Sequence, residues 1–234
     1  MIPLRDNVPT RHFPVVTVGL IVVNVLVFFL YEAKLGLTAE NGPVRELAFH
    51  PCEVDDSCST IGQGWPLTLF TSMFMHADVV HLGGNMLFLW IFGNNVEDAL
   101  GRVRYLVFYL LAGVAATALQ TAITLSTASD IATQIPNLGA SGAISGVLGA
   151  YFLLLPQASV LTAIFLGFIF FLREVPAFLF LAFWFLFQAW QGNFQLAHAP
   201  EGGGVAVFAH IGGFVFGLAT VKLFQTRPPL RPAY

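Results

Sequence analysis

Charge is what this sequence has least of: Lys, Arg, Asp and Glu together make up 10% of its 234 residues, against 56% apolar side chains and a mean hydropathy of +0.76. No water-soluble globule of this size needs such a balance, so the solvent is lipid. The formal net charge of -3 comes with no basic groove and no aromatic-interleaved basic patch, which excludes a nucleic-acid partner. His-Glu-x-x-His is missing, and no paired carboxylates stand inside an apolar stretch, so metal-dependent and two-aspartate hydrolytic chemistries lack their residues. Neither a metal nor a cofactor is implied. With no repeat, no low-complexity tail and no long linker, residues 1–234 read as a single membrane domain.

Long apolar runs are abundant. Six stretches, at residues 14–33, 82–99, 103–125, 139–155, 177–196 and 204–224, approach the roughly 20 residues that span a bilayer. The first is too long for a signal-peptide core and lacks a small-x-small cleavage site, so it reads as an uncleaved anchor. The expected architecture is therefore all-α, a polytopic bundle of six transmembrane helices. A further apolar run, Ala158 to Leu172, reaches only about 22 Å as a helix and is expected to be an interfacial or re-entrant segment. The loop over residues 34–80 is the one large extramembrane element, and its part from Trp65 to Met75, broken by Pro66 and hydroxyls, is expected to lie in the interface.

Lys and Arg mark the cytoplasmic side. Six spans put Arg5, Arg11, Arg102, Arg104, Arg173, Lys222, Arg227 and Arg231 on one face and only Lys34 and Arg45 on the other, so both termini are expected in the cytoplasm. Glu40, Glu46, Glu53, Asp55, Asp56, Asp130 and Glu201 fall on the opposite face. Cys52 and Cys58 lie in the large outward loop, where a disulfide is chemically permitted. A structural clip ranks ahead of free thiols, and a zinc site using His50 comes last for want of a fourth ligand.

Polar side chains inside a span are costly, so each is a functional candidate until a partner accounts for it. The second span opens His81-Leu-Gly-Gly-Asn85, preceded by His76, and the spacing of four puts His81 and Asn85 on one helix face. An interhelical hydrogen-bond pair explains these two as well as a site does. Asn94, Asn95, Glu97 and Asp98, at the far end of that helix, read as a water-facing terminus stopped by Gly101. The fourth span opens Gly139-Ala-Ser-Gly-Ala-Ile-Ser-Gly146, where Gly142 and Gly146 form a face that admits a neighbouring backbone; taken alone, Ser141 and Ser145 could be mere packing residues. The sixth contains His210-Ile-Gly-Gly213 with Gly217 four residues on. Burial disfavours an imidazolium there, leaving a neutral ring able to accept a proton. An even number of crossings puts His81, Ser141 and His210 at the same outer depth.

At these residues the chain closely resembles the rhomboid family of intramembrane serine proteases. The matching pieces are His76-x4-His81-x3-Asn85 with the run through Glu97, then Gly139-Ala-Ser141-Gly142, and then His210-x2-Gly213-x3-Gly217. The resemblance implies a Ser141 nucleophile and a His210 general base and acid. It implies oxyanion-stabilising groups at His81, Asn85 and the Ser141 backbone N–H. His76 corresponds to a supporting position, Gly139 and Gly142 belong to the serine motif, and Gly213 and Gly217 let the histidine helix approach the serine helix. The implied substrates are membrane proteins, expected to be single-span helices that unwind near their outer boundary. The implied setting is a multi-pass protein of a bacterial plasma membrane; nothing fixes the oligomeric state.

Two positions depart from the family pattern. An aromatic residue often stands four positions after the family's serine, against the histidine, and here that position is Ser145. A loop Trp-Arg pair is replaced by Trp65-Pro66. No acid marks a third triad member, Asp78 and Asp130 reading as solvated loop residues. The fifth span is crowded with Phe178, Phe180, Phe183, Trp184, Phe185, Phe187 and Trp190, expected to be mostly lipid-facing or packing aromatics. The rival readings are a catalytically silent relative that binds and routes membrane clients, and a small transporter with an intramembrane His and Asn path.

Overall fold

A computed structural model of the chain describes residues 1–33, 42–127, 130–167, 169–197 and 205–232. Lys34, Glu40 and Glu201, expected in outward loops, lie outside the described residues. The protein is mostly helical, and each of the six expected apolar stretches is a helix. Helix α1 (Val15–Glu32) ends in a π-wound turn over Phe28–Glu32. The short α2 (Pro43–Leu47) and α3 (Trp65–Thr71) follow in the loop. Helix α4 runs through Val79–Phe88, a π-wound stretch Leu89–Gly93, and Asn94–Leu100. Then come α5 (Arg102–Thr127), the short α6 (Asp130–Thr133), α7 (Ser141–Leu154), α8 (Ala177–Ala197) and α9 (Val207–Phe224). Among the described residues three of these, Val15–Glu32, Arg102–Thr127 and Val207–Phe224, are long and apolar enough to cross a membrane on length and composition alone.

Helix α7 is the centre of the core, buried on every side from Gly142 to Tyr151. A helix with no exposed stripe must let its neighbours come close, and its small residues do that. Toward α9, a Cβ added at Gly213 would overlap the Gly142 carbonyl oxygen, and one at Gly217 the Gly146 carbonyl oxygen. Toward α5, a Cβ on Gly142 would lie 2.7 Å from the Ala116 methyl. Sandwiched between α5 and α9, α7 is held by backbone-to-backbone contact that leaves little freedom to slide.

The polar residues at the C-terminal end of α4 are not the water-facing terminus expected from their sequence. Glu97 is 4% exposed and Asn95 3%. The Glu97 carboxylate accepts from the backbone N–H of Val16 (3.0 Å) and Thr17 (2.7 Å) and from the Thr17 hydroxyl (2.8 Å). It thereby satisfies N–H groups that the first turn of α1 leaves without partners. Asn95 donates to Asp6 at 2.6 Å, as does the Tyr151 hydroxyl. Arg11 pairs with Asp98 at 2.6 Å and donates to the Pro228 carbonyl at 2.9 Å. The N-terminal segment, the end of α4 and the C-terminal segment therefore meet on one face.

The all-α expectation also needs correcting. Strands β1 (Ile2–Asp6), β2 (Ser159–Leu166) and β3 (Ile169–Pro176) form an antiparallel sheet in the order β1-β2-β3, so the segment from Ala158 to Leu172, expected to be interfacial or re-entrant, is built as a β-hairpin. It turns at Gly167, whose φ of +61° suits glycine, between two runs rich in Val, Ile, Phe and Thr. Ile2 to Asp6 then covers the β2 edge, with Ile2 opposite Ala163 and Asp6 opposite Val160. In the loop between α1 and α4 Cys52 and Cys58 are joined in a disulfide with Cα atoms 5.5 Å apart, the structural clip of the expected alternatives.

Candidate active site

Ser141 opens α7, and the chain leading to it is pinned on both sides. Asn137 and Phe49 exchange backbone hydrogen bonds of 3.0 and 2.7 Å, and the Gly139 N–H donates to the Ser72 carbonyl at 2.9 Å. Gly139 has φ +122°, where a side chain is strained. A Cβ there would lie 3.0 Å from His81 Nε2 and 3.7 Å from Ser141 Oγ, so the ring and the hydroxyl flank the same point.

His210 comes from the first turns of α9. Its Nε2 lies 2.9 Å from Ser141 Oγ, and its Nδ1 lies 2.9 Å from Gln188 Oε1 on α8. The start of α9 is fixed from outside: Gln120 Oε1 on α5 accepts from the N–H of Phe208 (3.1 Å) and Ala209 (3.2 Å). Close packing of Gly213 and Gly217 against Gly142 and Gly146 sets the separation of the two helices that carry the pair.

His81 stands in the first turn of α4, where Asp78 caps the helix by accepting from the His81 N–H at 2.7 Å. His76 packs edge-on against the His81 ring, centroids 5.2 Å apart at 71°. Burial, with His81 beside it, holds His76 down at about 4, so its ring is neutral and serves as an apolar-like wedge. Its backbone N–H is tied to the Glu32 carboxylate at 3.0 and 3.2 Å. Asn85, one turn past His81, is 8% exposed, and its Nδ2 has no acceptor among the described residues. A cavity of about 30 Å³ borders Ser141, lined also by Gln120, Asn137, Ser72 and Thr117, room for about one water. Among the described residues no three His, Cys, Asp or Glu side chains are grouped to hold a metal ion.

The structure thus brings Ser141, His210 and His81 together, with His76, Gly139, Gly142, Gly213 and Gly217 supporting them and Asn85 a turn behind His81. Sequence reasoning passed over Gln188, Gln120, Glu32 and the capping role of Asp78. The first three were findable as amides or an acid within apolar helices, the same signal that picked out His81 and Asn85. Ser145 is spent on the backbone, its hydroxyl donating to the Ser141 carbonyl at 2.6 Å. The aromatic partner of His210 comes from α8 instead: the Trp184 ring sits 5.9 Å away at 39°. Of the other α8 aromatics, Phe178, Phe183, Phe187 and Trp190 are exposed on the outside of the bundle, whereas Phe180 is buried.

Chemically, a serine hydroxyl hydrogen-bonded to a buried imidazole can pass its proton to the ring and act as a nucleophile. A Ser-His pair inside an apolar helical bundle is the class of site this fold presents. The rhomboid domain model matches residues 62–227, and the chain belongs to the rhomboid family. It is 39% identical over 137 residues to the Rhomboid protease GluP of Bacillus subtilis (strain 168), covering 58% of this chain and 24% of that protein. It is 31% identical over 152 residues to Rhomboid protein 1, mitochondrial, of Saccharomyces cerevisiae, covering 65% and 40%. With the human Presenilin-associated rhomboid-like protein, mitochondrial, it shares 32% over 141 residues, covering 59% and 32%. The matched region is less than half the length of each of these relatives. They come from a bacterium and from mitochondria, so kinship assigns the chain to a membrane without choosing between those settings.

Proposed function

We propose that this chain is an intramembrane serine endopeptidase that hydrolyses peptide bonds in or near transmembrane segments of other membrane proteins. The observation that carries the reading is the 2.9 Å contact between Ser141 Oγ and His210 Nε2. His210 takes the hydroxyl proton as Ser141 attacks the scissile carbonyl. The oxyanion rests on His81, Asn85 and the backbone N–H of Ser141, which the first turn of α7 leaves free. His210 then returns its proton to the leaving amine, and water deprotonated by the same ring releases the acyl enzyme. The cavity beside Ser141 has room for that water.

A helical carbonyl is hydrogen-bonded and shielded, so the substrate segment must unwind. Single-span proteins with small or helix-breaking residues near the outer boundary fit that requirement. Six crossings, with both termini cytoplasmic and the whole chain acting as one domain, fit the six helices and the meeting of the two terminal segments around Arg11. The bacterial plasma membrane is the setting in which that orientation is proposed.

Purified protein and Ser141→Ala are each reconstituted with a fluorogenic transmembrane substrate, with and without a chelator. Chelator-resistant cleavage that disappears in Ser141→Ala is the expected result. Client binding by both proteins with cleavage by neither would favour the silent relative, and chelator-sensitive cleavage would reject the serine mechanism.

A further inference from the structure

We propose that Gln188 is a positioning residue for His210, its side-chain oxygen accepting the Nδ1 proton and so fixing the tautomer whose bare Nε2 faces Ser141. The inference rests on the Ser141–His210 reading and concerns how that pair is aimed. A neutral imidazole carries one proton, and only the Nδ1–H form leaves Nε2 a lone pair for the serine hydroxyl. Something must therefore accept at Nδ1. Gln188 Oε1 does so at 2.9 Å, from a side chain only 7% exposed.

Other polar side chains around the site are committed elsewhere. Ser145 bonds the Ser141 carbonyl. Asp78 caps α4. Glu32 holds the His76 backbone. Trp184, one turn before Gln188 on the same face of α8, lies tilted over the His210 ring and limits its rotation. The α8 helix thus supplies both the acceptor and the aromatic wall, while α7 supplies the nucleophile.

An amide is the acceptor suited to this place. A neutral amide orients the ring without the desolvation cost of a buried charge, and a glutamic acid in its place, held neutral by the same burial, still offers a carbonyl oxygen to Nδ1–H. Loss of the acceptor leaves Nδ1–H unpaired and releases the ring to the other tautomer, which aims a proton rather than a lone pair at Ser141.

The test uses the full chain in proteoliposomes as wild type, Gln188→Met, which keeps the length without an acceptor, and Gln188→Glu, which keeps the acceptor. Gln188→Met is expected to lower kcat about 10- to 100-fold with KM close to wild type. Labelling of Ser141 by a fluorophosphonate should slow in parallel, and Gln188→Glu should restore most of the rate. Thermal unfolding of each variant shows whether the bundle is intact. Nitrogen NMR of His210 in the wild type is expected to show Nδ1 protonated and Nε2 bare, a readout that needs no variant. An unchanged kcat in Gln188→Met, an equal loss in an intact Gln188→Glu, or the opposite tautomer would overturn the proposal. Wild type that cleaves substrate without using Ser141 would instead overturn the Ser-His reading, and this inference with it.

Discussion

Gly213→Ala should disable the site without touching any reacting atom. Gly213 lies three residues after His210 and faces α7, and a Cβ there would overlap the Gly142 carbonyl oxygen, with Gly142 C at 3.1 Å and Gly146 N at 3.2 Å. All three neighbours are helix backbone, so none can rotate aside, and close-packed α7 and α9 must part by about 1 Å. Gly142 is bonded to Ser141, so the shift lengthens the 2.9 Å contact with His210 Nε2 beyond hydrogen-bond range. A misplacement of about 1 Å costs on the order of 100-fold in rate, or about 2.7 kcal/mol of barrier, and overpacking costs a further 1–3 kcal/mol or so of stability. Gly19→Ala is the control, since nothing lies within 4 Å of a Cβ there. Initial rates of transmembrane substrate cleavage in proteoliposomes should fall about 100-fold in Gly213→Ala and stay at wild type in Gly19→Ala. A wild-type rate in a folded Gly213→Ala would refute the claim that this glycine contact sets the distance between serine and histidine.

Stability should also respond to pH through Asp6, whose carboxyl is pushed by burial from 3.8 up to about 6 despite accepting a hydrogen bond from Tyr151. The folded state holds this proton more tightly than the unfolded chain, so its stabilising effect is complete below about pH 4 and is lost as pH rises through about 6. The change amounts to at most about 3 kcal/mol, less whatever solvent screening removes. Thermal unfolding in micelles should show that slope in wild type and a flattened one in Asp6→Asn; equal slopes would remove Asp6 as the cause. Glu97→Ala strands two N–H groups and the Thr17 hydroxyl at the start of α1, a loss of about 3 kcal/mol. Glu97→Gln, which keeps an acceptor, should lose less; a Glu97→Ala protein as stable as wild type would show that α1 does not depend on this cap.

The candidate site is legible in the sequence because lipid makes polar residues conspicuous. His81, Asn85, Ser141 and His210 interrupt apolar helices, and glycines at Gly142, Gly146, Gly213 and Gly217 recur on the two faces that meet. Gln188 escaped notice because it stands among seven aromatic residues whose bulk reads as a lipid-facing wall, and its partner lies 22 residues away. Glu97 was misread for a related reason: an acid at a helix end looks solvated until the start of another helix is known to dock on it. The hairpin was hidden by length. Ala158 to Leu172 is as apolar as a helix core, and the signal at Gly167 decides for strands only once Ile2 to Asp6 supplies a third. Pairing between residues 2 and 163 is set by tertiary packing, which no local pattern carries.

The measurement that bears most directly on the central claim is covalent trapping of the nucleophile. Reconstituted protein is treated with a fluorophosphonate, and the adduct is located by peptide mass spectrometry in wild type, Ser141→Ala and His210→Ala. A single adduct on Ser141, gone in Ser141→Ala and strongly slowed in His210→Ala, is the expected result. An adduct on another serine, or a Ser141 whose labelling is indifferent to His210 in a preparation that cleaves substrate, would contradict it.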